Sequence, residues 1–131
     1  MKKLFVVSVM AVMCLGVFAK PVPEKALQYI SEGFPEREVL IYNVKVNIEL
    51  TLDDRTVVTF NSKGDWKEVD AEKRGEIPDS AVPEEILHVV KKQFPDARIL
   101  KMDHKRKYEV LLSNGVELEF NKALQLIDIH E

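Results

Sequence analysis

An internal correspondence at a spacing of sixty residues is the feature that most restricts how this chain can fold. Residues 22–71 align without a gap on residues 82–131, and the matches include proline and aromatic positions that rarely coincide by chance. Self-similarity at a fixed period is typical of a protein built from copies of one structural unit. The matching segments include Val22-Pro23-Glu24 with Val82-Pro83-Glu84, Phe34-Pro35 with Phe94-Pro95, and Phe60-Asn61 with Phe120-Asn121.

Each copy begins with the pattern of an amphipathic helix. Pro23 and Glu24 suit a helix start, because the first helical residues have no N–H partner and the helix dipole favours a negative charge there. Apolar residues then recur at helical spacing, and each helix is expected to end at its Phe-Pro pair, because a residue before proline is biased towards extended geometry. The apolar positions are Ala26, Leu27, Ile30 and Phe34, and in the second copy Ile86, Leu87, Val90 and Phe94.

After each helix the apolar period changes from 3.6 to 2, which indicates strands with one buried face. Even-numbered positions carry most of the apolar side chains from Leu40 to Phe60 and from Leu100 to Phe120. The alternation from residue 40 to residue 52 is long for one strand, so we expect a turn within residues 44–47. At Asn114-Gly115 we expect a hairpin in which both residues take positive φ.

The predicted fold class is therefore α+β, with two tandem repeats, each a helix followed by a four-stranded, mostly antiparallel sheet that packs on the helix. The predicted divisions are residues 20–71, a polar connector at 72–81, and residues 82–131. A unit of this size is marginally stable alone, so the halves are expected to share an interface. Whether the two sheets join edge to edge stays open at this stage.

The first nineteen residues have the layout of a secretory signal peptide. Lys2 and Lys3 precede an apolar stretch over residues 4–18, and Ala19 offers a small residue for cleavage. The stretch is short for a membrane span, so no stable membrane anchor is expected once it is removed. Cys14 is the only cysteine, which leaves the mature part without thiol chemistry. We predict a periplasmic or secreted protein.

The net charge of the chain limits the classes of partner that it is expected to bind. The whole chain has a formal net charge of −3, and loss of the two signal lysines leaves 17 basic against 22 acidic residues, hence −5. An evenly mixed, mildly acidic surface argues against nucleic acid and favours an unidentified protein partner in the cell envelope. Self-association into a homo-oligomer is left open.

No motif specifies a reaction or a cofactor, so the chain is predicted to be non-enzymatic, without catalytic or metal residues. The glycines are isolated, and no serine has a neighbouring histidine in the sequence. His88 lies one helical turn after Glu84, and Asp128 and His130 share a strand face, but surface positions explain both pairs adequately. A small-ligand or metal carrier remains the alternative, and it would need a concave pocket with converging polar groups.

The candidate binding surface is the odd-numbered sheet face, which the helices are expected to leave open. It mixes charged and aliphatic side chains, as protein interfaces do, and Trp66 would add an aromatic anchor, although it could instead cover the edge of the core. The predicted protein-binding residues are Lys45, Glu49, Thr51, Thr59, Trp66, Lys101, Glu109, Leu111 and Glu119.

These residues together resemble a known family. A secretory signal, two Val-Pro-Glu helices that end in Phe-Pro, and the stretch Lys63-Gly64-Asp65-Trp66 are similar to the bacterial PepSY-like family of exported proteins. The resemblance implies a fold related to the beta-lactamase-inhibitor protein and a binding module that inhibits an envelope or secreted enzyme. It supplies no catalytic or ligand residue. The second copy departs from the pattern at Ala123-Leu124-Gln125-Leu126, which leaves the geometry of the last turn in question.

Overall fold

The computed structural model describes residues 22–131. The predicted signal peptide and Cys14 lie outside the described residues. Within the described residues, two α-helices precede four strands each, with a 3-10 turn between the halves. The elements are α1 (Glu24–Gly33), β1 (Val39–Val44), β2 (Ile48–Leu52), β3 (Val57–Phe60), β4 (Trp66–Asp70), the 3-10 turn (Asp79–Ala81), α2 (Glu84–Gln93), β5 (Ile99–His104), β6 (Tyr108–Leu112), β7 (Glu117–Phe120) and β8 (Leu126–His130).

All eight strands form one antiparallel sheet in the order β1 to β8. The prediction of two tandem units, each with its own four-stranded sheet, is wrong, because β4 pairs with β5 through Glu68–Asp103, Val69–Met102 and Asp70–Lys101. Ala71, the residue after β4, extends this junction by donating its N–H to Leu100 O at 2.9 Å, and the connector adds a bond from Ile77 N–H to Ile99 O at 2.7 Å. Joining the sheets satisfies backbone groups that two separate edges would leave unpaired. The described part of the chain is therefore mostly a sheet fold, with two helices packed on it.

The helices and the sheet enclose a single core. Buried side chains of α1, Ala26, Leu27 and Ile30, belong to the same apolar cluster as Ile86 and Val90 of α2. The strands contribute their buried face, with Leu50, Val58 and Phe60 in the first half and Val110, Leu118 and Phe120 in the second. Each helix ends at the expected phenylalanine, whose N–H donates to Ile30 O or to Val90 O.

Bulges change the alternation in four places. In β1 the register shifts between Val39 and Ile41, and in β5 between Ile99 and Lys101. Val39 and Ile99 are therefore buried, whereas Leu40 is 64% exposed. The expectation that Leu40 lies on the buried face is wrong, because a bulge places an extra residue in one strand and reverses the side on which its neighbours lie.

Four of the six hairpin turns within residues 22–131, those after β2, β3, β6 and β7, follow one plan. A three-residue loop closes with a backbone hydrogen bond across it, as from Leu112 N to Val116 O at 2.9 Å, and its last residue has positive φ. The hairpin predicted at Asn114-Gly115 is present between β6 and β7, but only Gly115 of the pair has positive φ, so the expectation of positive φ at both residues is wrong. The expected turn between β1 and β2 is confirmed at residues 45–47.

Candidate protein-binding face of the sheet

The face of the sheet that the helices do not cover carries a row of carboxylates. We call this side the open face. Register pairs connect one residue per strand, in the order Asn43, Glu49, Thr59, Glu68, Asp103, Glu109, Glu119 and Asp128. The last five are acidic and occupy the five neighbouring strands β4–β8. Because adjacent strands lie about 4.8 Å apart, each carboxylate faces another of the same charge. We call these five residues the acidic row.

Four of the predicted binding residues lie along this line. Glu109 and Glu119 belong to the acidic row. Glu49 and Thr59 lie in the same line of paired residues, in the first half of the sheet. Sequence reasoning thus placed these four side chains on one face, but it did not reveal that they stand opposite one another. That alignment follows from the joined sheet, in which the register continues through the β4–β5 pair.

Three further predicted residues occupy the parallel line next to the acidic row. Thr51 pairs with Val57, and Lys101 stands between Asp70 and Leu111. This line mixes hydroxyl, aliphatic, acidic and basic side chains. The Lys101 ammonium lies 3.9 Å from the Glu68 carboxylate. Lys45 lies outside both lines, exposed in the turn between β1 and β2. The open face therefore combines a strip of negative charge with a mixed strip beside it.

Trp66 lies on the opposite side of the sheet, away from the other predicted binding residues. A bulge shifts the register so that Trp66 pairs with the buried Phe60, on the side where the helices pack. Its indole ring stacks on Tyr29 of α1 with ring centroids 6.4 Å apart, and it also contacts the ring of Tyr108. Trp66 covers the edge of the core, so it contributes no anchor to the open face.

Asp103 differs from the other residues of the acidic row in having a buried carboxylate oxygen without a hydrogen bond from the described residues. Its Oδ1 atom accepts no hydrogen bond from any residue between 22 and 131. Burial raises the pKa of Asp103, and the neighbouring Glu109 carboxylate raises it further. An ionised carboxylate in this position faces Glu68 on one side and Glu109 on the other. A cation placed over the row would relieve this repulsion.

The far end of the row is partly neutralised. Lys107 donates a hydrogen bond to Glu119 at 2.9 Å, which lowers the pKa of Glu119 and raises the pKa of Lys107. The His130 imidazole lies 3.4 Å from Glu119 and 3.3 Å from Asp128. These three side chains could together hold a metal ion, but the Lys107 ammonium already binds the carboxylate that such an ion would need. His130 thus contacts Glu119, which sequence reasoning did not anticipate.

A separate cleft lies beside Trp66, on the helix side of the sheet. It has a volume of about 350 Å³ and combines aromatic walls with charged rims. His104 stacks on Tyr108 at 3.9 Å, and burial followed by the charge of Lys67 lowers the pKa of His104. This is the concave feature that a small-ligand carrier would need. The lining residues are Lys25, Tyr29, Asn61, Gly64, Asp65, Trp66, Lys67, His104 and Tyr108.

Sequence reasoning missed three members of the acidic row. Asp103 has the odd number that alternation assigns to the open face, so the pattern already contained its signal. Glu68 and Asp128 have even numbers, and they reach the open face only because bulges precede them in their strand pairs. No residue pattern marks those bulges clearly, and their positions emerge only from the register.

The fold and the face define a class of protein. One antiparallel sheet has helices on one side, and its other side offers a charged open surface. The chain belongs to the PepSY-like family, whose description is "Putative beta-lactamase-inhibitor-like, PepSY-like" and which matches residues 41–128. This is not an enzyme family by its description, and the resemblance predicted from the sequence is confirmed.

Solved structures agree with this membership. The chain is similar to a periplasmic protein from Bacteroides vulgatus, with 29% identity and a TM-score of 0.76 over 84% of this chain and 91% of that one. It is also similar to a Bacteroides thetaiotaomicron protein described as a "putative calcium-regulated periplasmic protein", with 33% identity and a TM-score of 0.74 over the same shares. A second Bacteroides vulgatus periplasmic protein is 25% identical, with a TM-score of 0.73 over 84% of this chain and 92% of that one.

The predicted location is confirmed by these periplasmic relatives. Within residues 22–131, no helix is long and apolar enough to cross a membrane. No curated protein sequence matches the chain.

Proposed function

We propose that this protein is a non-enzymatic binding module of the periplasm whose acidic row binds a positively charged segment of another protein. The observation that carries the proposal is the alignment of five carboxylates on neighbouring strands, the second of which, Asp103, has a buried oxygen that no described residue hydrogen-bonds. Like charges directly opposite one another destabilise a sheet, so such a row needs a compensating role. A lysine- or arginine-bearing segment supplies the missing charge.

The composition of the open face suits a protein more than a free cation. Leu111 and Val57 are half-buried aliphatic side chains in the line beside the acidic row, and Thr51 and Thr59 add hydroxyl groups. Interfaces combine apolar contact with polar groups in this way. A partner that lies across the strands contacts both lines together. Inhibition of an envelope enzyme is one form that such binding would take, and it requires the bound segment to belong to the enzyme's substrate site.

Site-directed photo-crosslinking in the periplasm tests the proposal. A photo-reactive amino acid replaces Glu117, which is exposed on the open face and lies outside the acidic row. The control carries the same group at His88, which is exposed on α2. We expect a discrete crosslinked protein from the first site only, and its loss when Asp103→Asn and Glu109→Gln are added. Equal crosslinking at both sites, or a product that survives neutralisation of the row, would contradict the proposal.

Calcium is the second candidate ligand, because a relative with 33% identity is described as calcium-regulated. Ca²⁺ takes six to eight oxygen ligands, and the neighbouring carboxylates of Glu68, Asp103 and Glu109 offer several within one stretch of sheet. A ligand that binds only the folded state raises the melting temperature. We expect CaCl2, but not MgCl2 at equal ionic strength, to raise the Tm of the wild-type protein and not that of Asp103→Asn. An equal response of both proteins excludes this candidate.

A further inference from the structure

The two outer strands of the sheet correspond to the two strands that already pair at its centre. β1 corresponds to β5 at the sixty-residue spacing, and β8 corresponds to β4. The correspondence extends to detail, because β1 and β5 carry their bulge at the same place and β4 and β8 each follow a bulged pair. Within residues 22–131 no strand lies outside β1 or β8. The sheet formed by residues 22–131 thus ends in two edges of the kinds that the central β4–β5 junction joins.

We propose that a second copy of this chain continues the sheet, with β8 of one molecule pairing antiparallel with β1 of the next in the register of the β4–β5 junction. Subtracting sixty from the β5 residues and adding sixty to the β4 residues gives the expected pairs. Asp128 then stands opposite Asn43, Ile129 opposite Tyr42, and His130 opposite Ile41. The Glu131 N–H reaches Leu40 O, as the Ala71 N–H reaches Leu100 O within the chain.

The side chains at the two edges suit this pairing. Between Val39 and Val44 the edge strand β1 has no charged residue, whereas the central strand β5 carries Lys101 and Asp103. Natural edge strands commonly carry charges that prevent association with another edge, and β1 lacks this protection. Leu40 and Ile41 are 64% and 62% exposed, and Ile129 of β8 is 37% exposed. Burial of these side chains would favour association.

The proposed β8–β1 contact between molecules has less like-charge repulsion than the β4–β5 pairing within the chain. The central junction places Glu68 opposite Asp103, two like charges. The proposed contact places Asp128 opposite the neutral Asn43. The line of residues that contains the acidic row would then continue from one molecule into the next. Pairing of unlike edges is head-to-tail, so it generates an open chain of molecules or a ring and not a symmetric dimer.

Engineered cysteines test the register directly. One preparation carries Ile41→Cys, a second carries His130→Cys, and a third carries Asp128→Cys, each in the chain as a bacterial host exports it. We expect a disulfide-linked dimer when the Ile41→Cys and His130→Cys proteins are mixed, and little product when the partner is Asp128→Cys, which lies two residue pairs away from Ile41 in the proposed register. The unsubstituted chain, with Cys14 as its only native cysteine, gives the baseline.

Sedimentation velocity gives a second, independent readout. Ile129→Lys places a charge where the corresponding central residue, Val69, is fully buried, so we expect this variant to be monomeric at concentrations at which the wild type associates. Ile127→Lys is the matched control, because Lys67 already occupies the corresponding central position and the change should leave association intact. Both side chains are exposed enough for the fold to tolerate the change.

Three outcomes would overturn the proposal. The first is a wild-type protein that stays monomeric from micromolar to millimolar concentration. The second is a disulfide dimer from Ile41→Cys alone, which would mean that two β1 edges pair symmetrically. The third is an Ile41→Cys product that contains a different protein, which would mean that a partner's strand occupies this edge. None of these outcomes bears on the acidic row, so the binding proposal is tested separately.

Discussion

Four residues at equivalent positions of the hairpin turns adopt the left-handed backbone conformation. They are Arg55, Gly64, Gly115 and Leu124, with φ between 64° and 92°. Two are glycines, which adopt this conformation freely, and two carry side chains for which it costs about 1–2 kcal/mol. The turns after β3 and β7 share the same hydrogen bonds, because Asn61 Oδ1 and Asn121 Oδ1 each accept two backbone N–H bonds across their loop.

Replacement of Arg55 by glycine should stabilise the protein. Arg55 is exposed, and Gly115 already holds the corresponding place in the second half. We expect Arg55→Gly to raise the free energy of unfolding by about 1 kcal/mol, and Gly115→Ala to lower it by a similar amount, because a Cβ is unfavourable at positive φ. Urea denaturation of the two variants measures both changes. A loss of stability in Arg55→Gly would contradict the backbone explanation.

At the scale of elements, the C-terminal end of α1 is attached to the connector. The Tyr29 hydroxyl donates to Ala81 O at 2.6 Å, and the Ser80 hydroxyl donates to Gly33 O at 2.7 Å. Gly33 lies so close to the 3-10 turn that an added Cβ would stand 2.9 Å from Ala81 Cβ. These contacts join the first helix to the segment that leads into the second half.

A double-mutant cycle tests this attachment. Alanine normally favours a helix over glycine, but here Gly33→Ala should lower the free energy of unfolding by about 1–3 kcal/mol, the usual effect of overpacking. Ala81→Gly removes the opposing methyl group, so the double variant should recover part of that loss. Thermal denaturation of the three variants gives the coupling energy. Strictly additive effects would mean that the two residues do not limit each other's space.

The elements themselves could be predicted from the sequence, because each depends on local periodicity. Both helices, their Phe-Pro ends and the alternating strands follow from spacings of 3.6 and 2. The bulges could not be predicted, since they depend on how two distant strands align. That is why Leu40 was placed on the wrong face, why Trp66 was left between the open face and the edge of the core, and why Glu68 and Asp128 were not expected on the open face.

At the scale of the whole molecule, the single sheet creates the candidate site. The choice between two separate sheets and one continuous sheet depends on whether β4 and β5 meet, which no local pattern determines. Once Glu68 pairs with Asp103, the carboxylates of both halves stand in one row. Residue types on the open face could therefore be predicted from the sequence, whereas their alignment into a row required the three-dimensional register.

The acidic row should make the isolated protein less stable than it could be. The folded pKa of Asp103 lies above its ordinary value of 3.8, because burial and Glu109 disfavour its ionised form. A carboxyl whose pKa is raised by folding binds its proton more tightly in the folded state. Ionisation of Asp103 therefore removes stability as the pH rises from the unfolded pKa to the folded pKa, and the loss is complete above the folded pKa.

By our proposal, the acidic row is kept for binding although it lowers the stability of the fold. The most direct test compares the free energy of unfolding of Asp103→Asn with that of the wild type, at pH 7 and at pH 3. The variant removes a negative charge that faces Glu68 and Glu109, so it should be more stable by roughly 0.5 kcal/mol at pH 7, as expected for relief of like-charge pairs across strands. At pH 3, where Asp103 is protonated in both states, the difference should vanish. A variant less stable than the wild type at pH 7 would mean that Asp103 supports the fold, and it would contradict a row kept for binding.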